Sequence, residues 1–383
     1  MKSSNIRYIP TVDHLRAFAA TLVVFYHGMQ LFGSFLRTNG ESFDRHWTYS
    51  KNPLVALVAE GHSAVGLFLV LSGFIFTYGA AGRDISYWQF LANRMWRIAP
   101  LFFLVIIFGI HVYPENFTIL GFLQTLAFLG DLPGGIQAGP LTNNTWSVGI
   151  EFRCYFVFPF LLHFVERYGL KYVLGVLLVT LLFRCLHFFT YDNVAGIGYW
   201  TIVGRLDQFV IGMATAIVFR RLEAHKRVLR WMFPAAVVAA LACLEWFNGE
   251  GGFPVDNWHR IFWPSIEGSF WAFLVLTYVS FDRGDGRTGH WVSAAVARLG
   301  QISFSTYLLH FPVIILLIHR RWVPHLAADP NDNGLLVTLL VAWPLSIAVS
   351  ALTYNVVESP FMSYRKRYIQ PERATGSLPA QVP

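Results

Sequence analysis

The chain has 383 residues, of which 55% are hydrophobic and only 13% are charged. Soluble globular proteins carry about 25% charged residues and disordered chains need low hydrophobicity, so this composition excludes both classes and indicates a multi-spanning membrane protein. The net charge of +7 comes from basic residues placed between apolar runs, a pattern that sets membrane orientation and does not indicate nucleic-acid binding. Cys154, Cys185 and Cys243 all lie in apolar runs, which excludes a disulfide scaffold.

Ten apolar stretches are long enough to cross a hydrocarbon core of about 30 Å, which takes roughly 20 helical residues. They lie at residues 15–35, 61–81, 98–113, 145–165, 171–190, 199–219, 231–247, 262–281, 300–319 and 335–357. An eleventh candidate, residues 117–130, is short and is followed by Asp131-Leu132-Pro133-Gly134-Gly135, so we do not count it. The sequence therefore predicts an all-α, polytopic membrane helical bundle of about ten transmembrane helices.

The distribution of Lys and Arg predicts that both termini are cytoplasmic. With ten spans, 20 of the 29 basic residues fall on the side of the N-terminus, in residues 1–16, 82–97, 166–171, 220–230, 282–298 and 365–383. Only six fall on the opposite side, and positive residues concentrate in cytoplasmic loops. Counting residues 117–130 as a span would move the five basic residues of 220–230 to the outside.

The chain divides into a cytoplasmic N-terminal segment (1–14), a membrane domain (15–365) and a cytoplasmic tail (366–383). We expect the tail to be disordered because Pro and Gly interrupt it. The first apolar run follows Asp13 and Arg16 and lacks a small-residue cleavage site, so we expect no removable signal peptide. The loops are short, so we also expect no appended soluble domain.

His27 is a polar side chain inside the first span, where an ionisable group is costly and is a functional candidate by default. It lies eleven residues after Arg16, which puts the two about 16 Å apart along the helix axis and, within about 20°, on one face. A lone histidine in a membrane is about as often a structural residue bonded to a neighbouring helix. Because His27 shares one helix face with Arg16, which is predicted to lie at the membrane interface, we favour a functional role for His27 over a structural one.

Glu151 and Arg153 lie near the start of the fourth span. Residues two apart on a helix point about 200° apart, so these two cannot neutralise one another, and each needs a partner from another helix or water. A carboxylate that faced His27 could orient the imidazole as in a general base. The sequence does not establish that Glu151 does so.

Arg83, Arg94 and Arg97 form a basic cluster between the second and third spans. Positive-inside anchoring explains such a cluster without any ligand, and from spacing alone it is the commoner reason. The alternative is a docking site for a phosphorylated cytosolic donor, because Arg binds phosphate through two parallel hydrogen bonds.

Other polar groups lie inside the predicted spans, and some of them are expected to be structural ion pairs: Arg205, Asp207, Glu267, His310 and Glu358. His310 follows a run of hydroxyl residues that could line a polar cavity, although a lone histidine is more often a satisfied core residue. The chain contains no Gly-rich phosphate loop, no His-Glu-x-x-His metal motif and no nucleophile elbow, so we expect no metal site.

Six segments, in order along the chain from about residue 8 to 365, resemble the acyltransferase-3 family of integral membrane acyltransferases. They are Val12–Ala17 continuing to His27, Gly66–Phe74, Arg94–Pro100, Asn144–Tyr155, Leu299–His310 and Glu358–Phe361. The chain departs from the family pattern at His14, where Gly is common, at Asn93, where Arg is common, and at Phe152 and Arg153, which replace a more acidic pair. His14 and Arg153 could reflect an unusual acceptor, and Asn93 could weaken donor phosphate contacts.

The resemblance implies a stand-alone membrane O-acyltransferase, in a bacterial inner membrane, that uses acyl-CoA (by default acetyl-CoA) as co-substrate and holds no permanent cofactor. Its acceptor would be a carbohydrate, a lipid-linked glycan or a macrolide. His27 would be the general base or carry the acyl group, with Glu151 or Glu358 orienting it. The remaining implied site residues are Arg16, Arg94 and Arg97 for the donor phosphates, and Trp146, Ser147, Tyr155 and His310 for the acceptor.

A proton-coupled transporter or flippase is the alternative function, with His27, Glu151 and the pair Arg205 and Asp207 as a proton relay. No inverted repeat or matched pair of broken helices in the sequence supports a transporter. A transporter also would not explain why Arg16, His27 and the basic loop occur together, whereas a donor site uses all three. The acceptor, the acyl chain length, the side of transfer, a covalent acyl-histidine and the oligomeric state stay open at this point.

Overall fold

The computed structural model describes residue 5 and residues 7–44, 46–130, 139–282 and 290–369. Within them, ten helices coincide with the ten predicted spans: α1 (Pro10–Thr38), α2 (Ala64–Ala80), α3 (Tyr87–Val112), α4 (Thr145–Tyr168), α5 (Leu170–Tyr191), α6 (Ile202–Arg221), α7 (Lys226–Gly249), α8 (Trp263–Val279), α9 (Ser303–His319) and α10 (Pro330–Met362). The same residues contain no β-strand, only a single bridge between Ile85 and Ile369. The predicted all-α membrane bundle is confirmed.

Eight of these helices, all except α8 and α9, are long and apolar enough to cross a membrane, α2 together with the 3-10 turn Gly61–Ser63 that precedes it. α9 becomes a ninth when it is joined to the preceding helix, Trp291–Gln301, from which it is bent by 67°. α8 has 17 residues. The candidate at 117–130 forms only the eight-residue helix Ile119–Leu126, about 12 Å long and too short to cross, while Asp131–Gly135 lie outside the described residues.

Local sequence fixes the ends of the helices that carry the site. α1 begins at Pro10, whose fixed φ suits the first helical position, and ends before Asn39, which takes the left-handed conformation with a φ of 57°. α10 begins after Asp329, whose carboxylate accepts hydrogen bonds from the backbone N–H groups of Asn331 and Asp332. α1 therefore starts five residues before the expected boundary at residue 15.

The centre of the bundle is the crossing of α2 and α6. A Cβ atom built on Gly73 would come within 2.0 Å of the Phe209 carbonyl oxygen, and one on Gly212 within 2.1 Å of the Val70 carbonyl oxygen. The two backbones therefore touch, which is how small residues allow helices to pack in a membrane. α1 packs against α2 of this pair and against α9 and α10, so it lies between the core and the helices that complete the site.

Buried ion pairs account for several of the charges inside the spans. The Arg184 guanidinium lies 2.8 Å from the Asp207 carboxylate, and Arg205 lies 3.3 Å from Glu267, with all four side chains at most 2% exposed. Charges this deep must be paired to be tolerated. The expectation that some of these groups are structural pairs is confirmed.

The segment after α10 is folded against the bundle. Tyr368 and Ile369 are both 2% exposed, and the Ser86 N–H donates to the Tyr368 carbonyl oxygen at 2.9 Å. The folded part therefore reaches Ile369, and the predicted start of a disordered tail at residue 366 is too early. Residues 370–383 of that predicted tail lie outside the described residues.

α10 departs from regular α-helix twice, in π-helical turns at Thr338–Ala342 and Tyr354–Glu358. Such turns are rare and often occur at functional sites. The first faces α1 beside His27, because a Cβ on Gly28 would lie 2.0 Å from Thr338 Oγ1. The second brings Glu358 beside Arg97.

Candidate active site

A cavity of about 250 Å³ lies at the end of the bundle where α1 begins. Five arginines line it, together with Tyr354, Phe304, Ser72 and other residues: Arg7, Arg16, Arg94, Arg97 and Arg365. We call it the arginine cavity. The predicted donor residues Arg16, Arg94 and Arg97 are therefore brought together, although they come from α1 and α3.

Three of the five arginines of this cavity have carboxylate partners. Arg7 lies 2.5 Å from Asp282, Arg16 lies 3.2 Å from Asp13, and Arg97 lies 3.2 Å from the fully buried Glu358. The Arg97 guanidinium also donates to the Gln301 carbonyl oxygen at 2.8 Å.

Arg94 and Arg365 have no carboxylate partner among the described residues. Arg94 instead lies over the rings of Phe76 and Phe90, at 4.8 and 5.6 Å from their centroids. Burial, together with the nearby charges of Arg97 and Arg94, lowers the pKa of Arg365 to about 10. Arg365 stays charged at neutral pH, so the cavity carries an unbalanced positive charge that favours an anionic ligand.

Glu151 lies in the wall of the arginine cavity. Its carboxylate accepts a hydrogen bond from Ser72 Oγ at 2.9 Å and a short one from the Tyr155 hydroxyl. No contact joins Glu151 to His27. The structure therefore does not contain the pairing of these two residues that the sequence left possible. Glu358 also lies on this side, held by Arg97 and by a short hydrogen bond from Ser305.

Tyr307 closes the inner end of the arginine cavity. Its hydroxyl lies 2.6 Å from Ser147 Oγ and 3.2 Å from the Asn144 carbonyl oxygen. Asn144 in turn bonds the carbonyl oxygens of Tyr307 and Leu308, and Leu308 is four residues before Pro312, which lacks the N–H that would bond its carbonyl oxygen. We call Asn144, Ser147 and Tyr307 the tyrosine layer.

His27 and His310 meet beyond the tyrosine layer, at 2.8 Å between His27 Nδ1 and His310 Nε2. Their rings stack with centroids 5.0 Å apart and planes 20° apart. His310 is fully buried and His27 half-buried. Since Tyr307 and His310 are three residues apart on α9, one helical turn separates the end of the cavity from the histidine pair.

Aromatic rings surround His27 on its remaining sides. Phe311 packs edge-on against the imidazole with centroids 4.9 Å apart, Tyr26 lies at 4.8 Å, and Phe43 lies at 5.9 Å. Phe43 belongs to the loop after α1, and this loop is tied down by Arg37, which lies 2.6 Å from Asp44. The histidine pair is therefore closest to the side of the bundle opposite the arginine cavity.

A second imidazole lies on the far side of Tyr26. His62 is 4% exposed, and its Nε2 lies 2.9 Å from the Glu60 carboxylate, which is fully buried. Trp47 and Asn248 donate hydrogen bonds of 2.9 and 2.8 Å to the other oxygen of Glu60.

The structure separates the expected acceptor residues. Ser147 and Tyr155 line the arginine cavity, beside the predicted donor residues, and His310 lies behind His27 with both ring nitrogens engaged. Trp146 lies away from the cavity lining, with its ring 5.0 Å from Tyr199 and 4.7 Å from Trp200. Arg205 packs over Tyr199 at 4.2 Å beneath this aromatic group.

Two departures from the family pattern have structural explanations. Asn93 is 2% exposed, and its amide donates to the Lys366 carbonyl oxygen at 2.6 Å and accepts from the Lys366 N–H at 2.9 Å. It holds the segment after α10 and does not line the cavity. His14 bonds the Tyr278 hydroxyl and the Ser293 carbonyl oxygen, at 3.2 and 3.0 Å, and lies on the donor side, far from His27.

Sequence reasoning missed several residues of the site: Arg7, Ser72, Tyr307, Arg365, Glu60 and His62. Arg365 belongs to a basic run after the last span. Tyr307 lies within Leu299–His310, one of the segments that resemble the acyltransferase-3 family. The only available signal for Glu60 and His62 was that a carboxylate and an imidazole stand at the start of an apolar run.

Comparisons with known proteins agree on one family. Residues 9–355 match the acyltransferase-3 family model, described as "Acyltransferase domain". The "Acyltransferase MdmB" of Streptomyces mycarofaciens is 26% identical over 358 residues, which cover 85% of this chain and 88% of that protein. The "O-acetyltransferase OatA" of Staphylococcus aureus is 23% identical over 402 residues, which cover 94% of this chain and 58% of that longer protein. No solved structure matches the chain significantly.

Proposed function

Since the chain belongs to the acyltransferase-3 family and is a membrane acyltransferase, we propose that it moves an acyl group from acyl-CoA to a hydroxyl of a carbohydrate, glycan-type or macrolide acceptor. Acetyl is the default acyl group, and a bacterial inner membrane the default location. One of the relatives is named an O-acetyltransferase, which supports this choice.

The arginine cavity carries this proposal. A CoA molecule presents three phosphate groups at one end, and guanidinium groups bind phosphate oxygens through paired, charge-assisted hydrogen bonds. Arg94 and Arg365 lack a carboxylate partner within the described ranges of the chain, and the side chain of Arg7 is exposed. We therefore assign the CoA phosphates to this cavity, on the side that the charge distribution predicts to be cytoplasmic.

His27 acts as the general base on the acceptor hydroxyl. The thioester end of the donor extends from the cavity toward the tyrosine layer, and this layer must move for the thioester to reach His27. A neutral imidazole has an unprotonated ring nitrogen that can accept a proton from a hydroxyl, which suits the role of a general base. Glu151 and Glu358 lie on the donor side, where they set the charge balance of the cavity.

The acceptor approaches from the opposite side of the bundle. The rings of Tyr26, Trp47, Tyr199 and Phe253 form a continuous aromatic group near His27, with neighbouring centroids 4.8 to 6.1 Å apart. Flat aromatic faces suit the apolar faces of sugar rings and of macrolides. This supports a glycan-type or macrolide acceptor.

The transporter alternative gains no support from the geometry. A transporter would use Arg205 and Asp207 in its proton relay. In the structure, Arg205 instead pairs with Glu267 and Asp207 pairs with Arg184. Glu151 and His27 lie on opposite sides of the tyrosine layer. The polar groups therefore do not form one path across the bundle.

Turnover of acetyl-CoA by the purified protein in nanodiscs tests the proposed function. We expect CoA release that increases when a glycan or macrolide acceptor is added and that falls by about 10²–10⁴ in His27→Ala, the contribution typical of a general base. His163→Ala is the matched control, because His163 is an exposed histidine elsewhere in the membrane domain. Full activity in His27→Ala, or no binding of any acyl-CoA by the native protein, would contradict the proposal.

A further inference from the structure

The contact between His27 and His310 raises the question of which ring carries the shared hydrogen. A neutral imidazole has one nitrogen that donates and one that accepts. The 2.8 Å distance between His27 Nδ1 and His310 Nε2 shows that one of them donates to the other. The answer depends on the other nitrogen of His310.

The other nitrogen of His310 is fixed by the backbone. His310 Nδ1 lies 3.0 Å from the Thr306 carbonyl oxygen, one turn earlier on α9. A carbonyl oxygen only accepts, so this nitrogen carries a hydrogen. In a neutral His310, Nε2 is then an acceptor, and the hydrogen between the two rings belongs to His27 Nδ1.

We propose that His310 is a positioning residue that holds His27 in the tautomer with its hydrogen on Nδ1 and its lone pair on Nε2. The inference rests on the proposed function and deepens it, because it names the atom of His27 that acts as the base. The resemblance had placed His310 on the acceptor. Its full burial and the engagement of both ring nitrogens leave it no group with which to bind one.

This tautomer accounts for each proton that moves during acyl transfer. The acceptor O–H bond breaks and its proton moves to His27 Nε2, while the oxygen bonds to the thioester carbonyl carbon. The C–S bond then breaks, and the departing CoA sulfur takes the proton from Nε2, so His27 returns to its starting tautomer. Throughout, His310 Nε2 accepts the Nδ1 hydrogen of His27 and stabilises the transient imidazolium.

Packing around the pair supports a fixed orientation of the His27 ring. Phe311, the residue after His310, holds the His27 ring edge-on at 4.9 Å but offers it no hydrogen bond. His310 and Phe311 therefore stabilise the His27 ring in different ways. His310 fixes the tautomer, and Phe311 contributes packing alone.

The test compares three variants in nanodiscs. His310→Gln keeps an acceptor oxygen near the position of Nε2, His310→Leu removes it at similar size, and Phe311→Leu removes only packing. We expect His310→Leu to lower kcat about 10–100-fold with little change in the KM for acyl-CoA, as is typical when a partner that orients an active imidazole is lost. His310→Gln should recover most of kcat. Phe311→Leu should lower kcat less than His310→Leu does, because it removes packing around His27 and no hydrogen bond.

A spectroscopic measurement tests the tautomer without relying on activity. In ¹⁵N-histidine-labelled protein, the resonance that is lost in His27→Ala should show its hydrogen on Nδ1. A hydrogen on Nε2, or an unchanged kcat in folded His310→Leu, would overturn the inference. If His27→Ala stays active while the hydrogen is found on Nδ1, the proposed function fails and the assignment of the tautomer stands.

Discussion

The arginine cavity and the histidine pair lie in one bundle but have opposite electrostatic character: the cavity concentrates charged groups, and the histidine pair lies among aromatic rings. The cavity holds Arg94 and Arg365, which lack a carboxylate partner in the part of the chain that the structure describes, at an end of the molecule that an anion can reach. The histidine pair contacts no carboxylate of the described residues and packs against Tyr26, Phe43 and Phe311. In the proposed function, the site that binds a charged donor and the imidazole that accepts a proton are thus kept apart.

The two regions are nevertheless connected by the same helices. α1 carries Arg16 in the cavity and His27 in the pair, and α9 carries Phe304 and Tyr307 in the cavity and His310 in the pair. The separation is therefore a single layer of side chains. Substitutions in either region, or in the layer between them, show whether the regions are as independent as the geometry indicates.

The largest effect is expected from removing the buried carboxylate of the cavity. Glu358→Ala leaves Arg97 without its partner and Ser305 without its acceptor, and breaking a buried ion pair in this way destabilises proteins by about 3 kcal/mol or more. Thermal unfolding of the detergent-solubilised protein should show the loss. Glu358→Gln, which keeps a hydrogen-bond acceptor for Ser305, should lose less.

The Glu358 variants also distinguish a structural carboxylate from one that orients His27. If Glu358 acted on His27, Glu358→Gln would lower kcat strongly while stability stayed near the native value. We expect the reverse, because Glu358 lies on the donor side and its contacts are Arg97 and Ser305.

An intermediate effect is expected from an arginine that has no carboxylate partner. Arg94→Gln removes one charge-assisted interaction with phosphate, typically about 1.5–3 kcal/mol, so the KM for acyl-CoA should rise about 10–100-fold while kcat changes little. Isothermal titration with CoA, which lacks the acyl group, should show the same loss of affinity. Arg320→Gln is the matched control, because Arg320 is exposed on the opposite side.

A change in kcat without a change in KM for Arg94→Gln would remove the distinction between the two regions. It would mean that this guanidinium acts on the reacting atoms. The present assignment of Arg94 to the phosphates could not then be kept.

The smallest effect is expected in the layer between the two regions. Tyr307→Phe removes the hydrogen bonds to Ser147 and Asn144, each worth about 1 kcal/mol, and leaves the ring in place. Binding of CoA should not change, because the proposed phosphate ligands are the arginines of the cavity and Tyr307→Phe leaves them in place. Release of CoA in the absence of acceptor should rise a few-fold, because a looser layer admits water to the thioester. An unchanged ratio of uncoupled to coupled turnover would show that the layer is no barrier.

The sequence was sufficient for the helices, because apolar length follows from the physics of a bilayer. The grouping of Arg16, Arg94 and Arg97 came from the family resemblance, while the basic loop alone had grouped Arg94 and Arg97 with Arg83, which does not line the cavity. It could not supply the partner of His27. Glu151 and His310 were equally available, and the choice depends on how α4 and α9 rotate against α1. That rotation is set by close packing, such as Gly28 against Thr338, which leaves no periodic signal in the sequence.

The same limit explains the residues that were missed. Arg365 had an adequate explanation as a membrane anchor, and nothing local distinguishes an anchoring arginine from one that folds back over a cavity. Asn93 was judged from what it replaces, whereas its two hydrogen bonds to Lys366 are a long-range contact. Such contacts become visible only when the last span has been placed.

The 67° bend before α9 has a consequence for the dipoles of the two helices that it joins. It exposes the carbonyl end of helix Trp291–Gln301, where Gln301 holds Arg97, and the amide end of α9, which begins at Ser303 with no side-chain cap. Peptide dipoles give the amide end of a helix a partial positive charge of about half an elementary charge. The carbonyl end of the preceding helix carries the opposite partial charge, which the Arg97 guanidinium offsets. The backbone therefore adds to the positive potential of the cavity only as long as Arg97 stays in place.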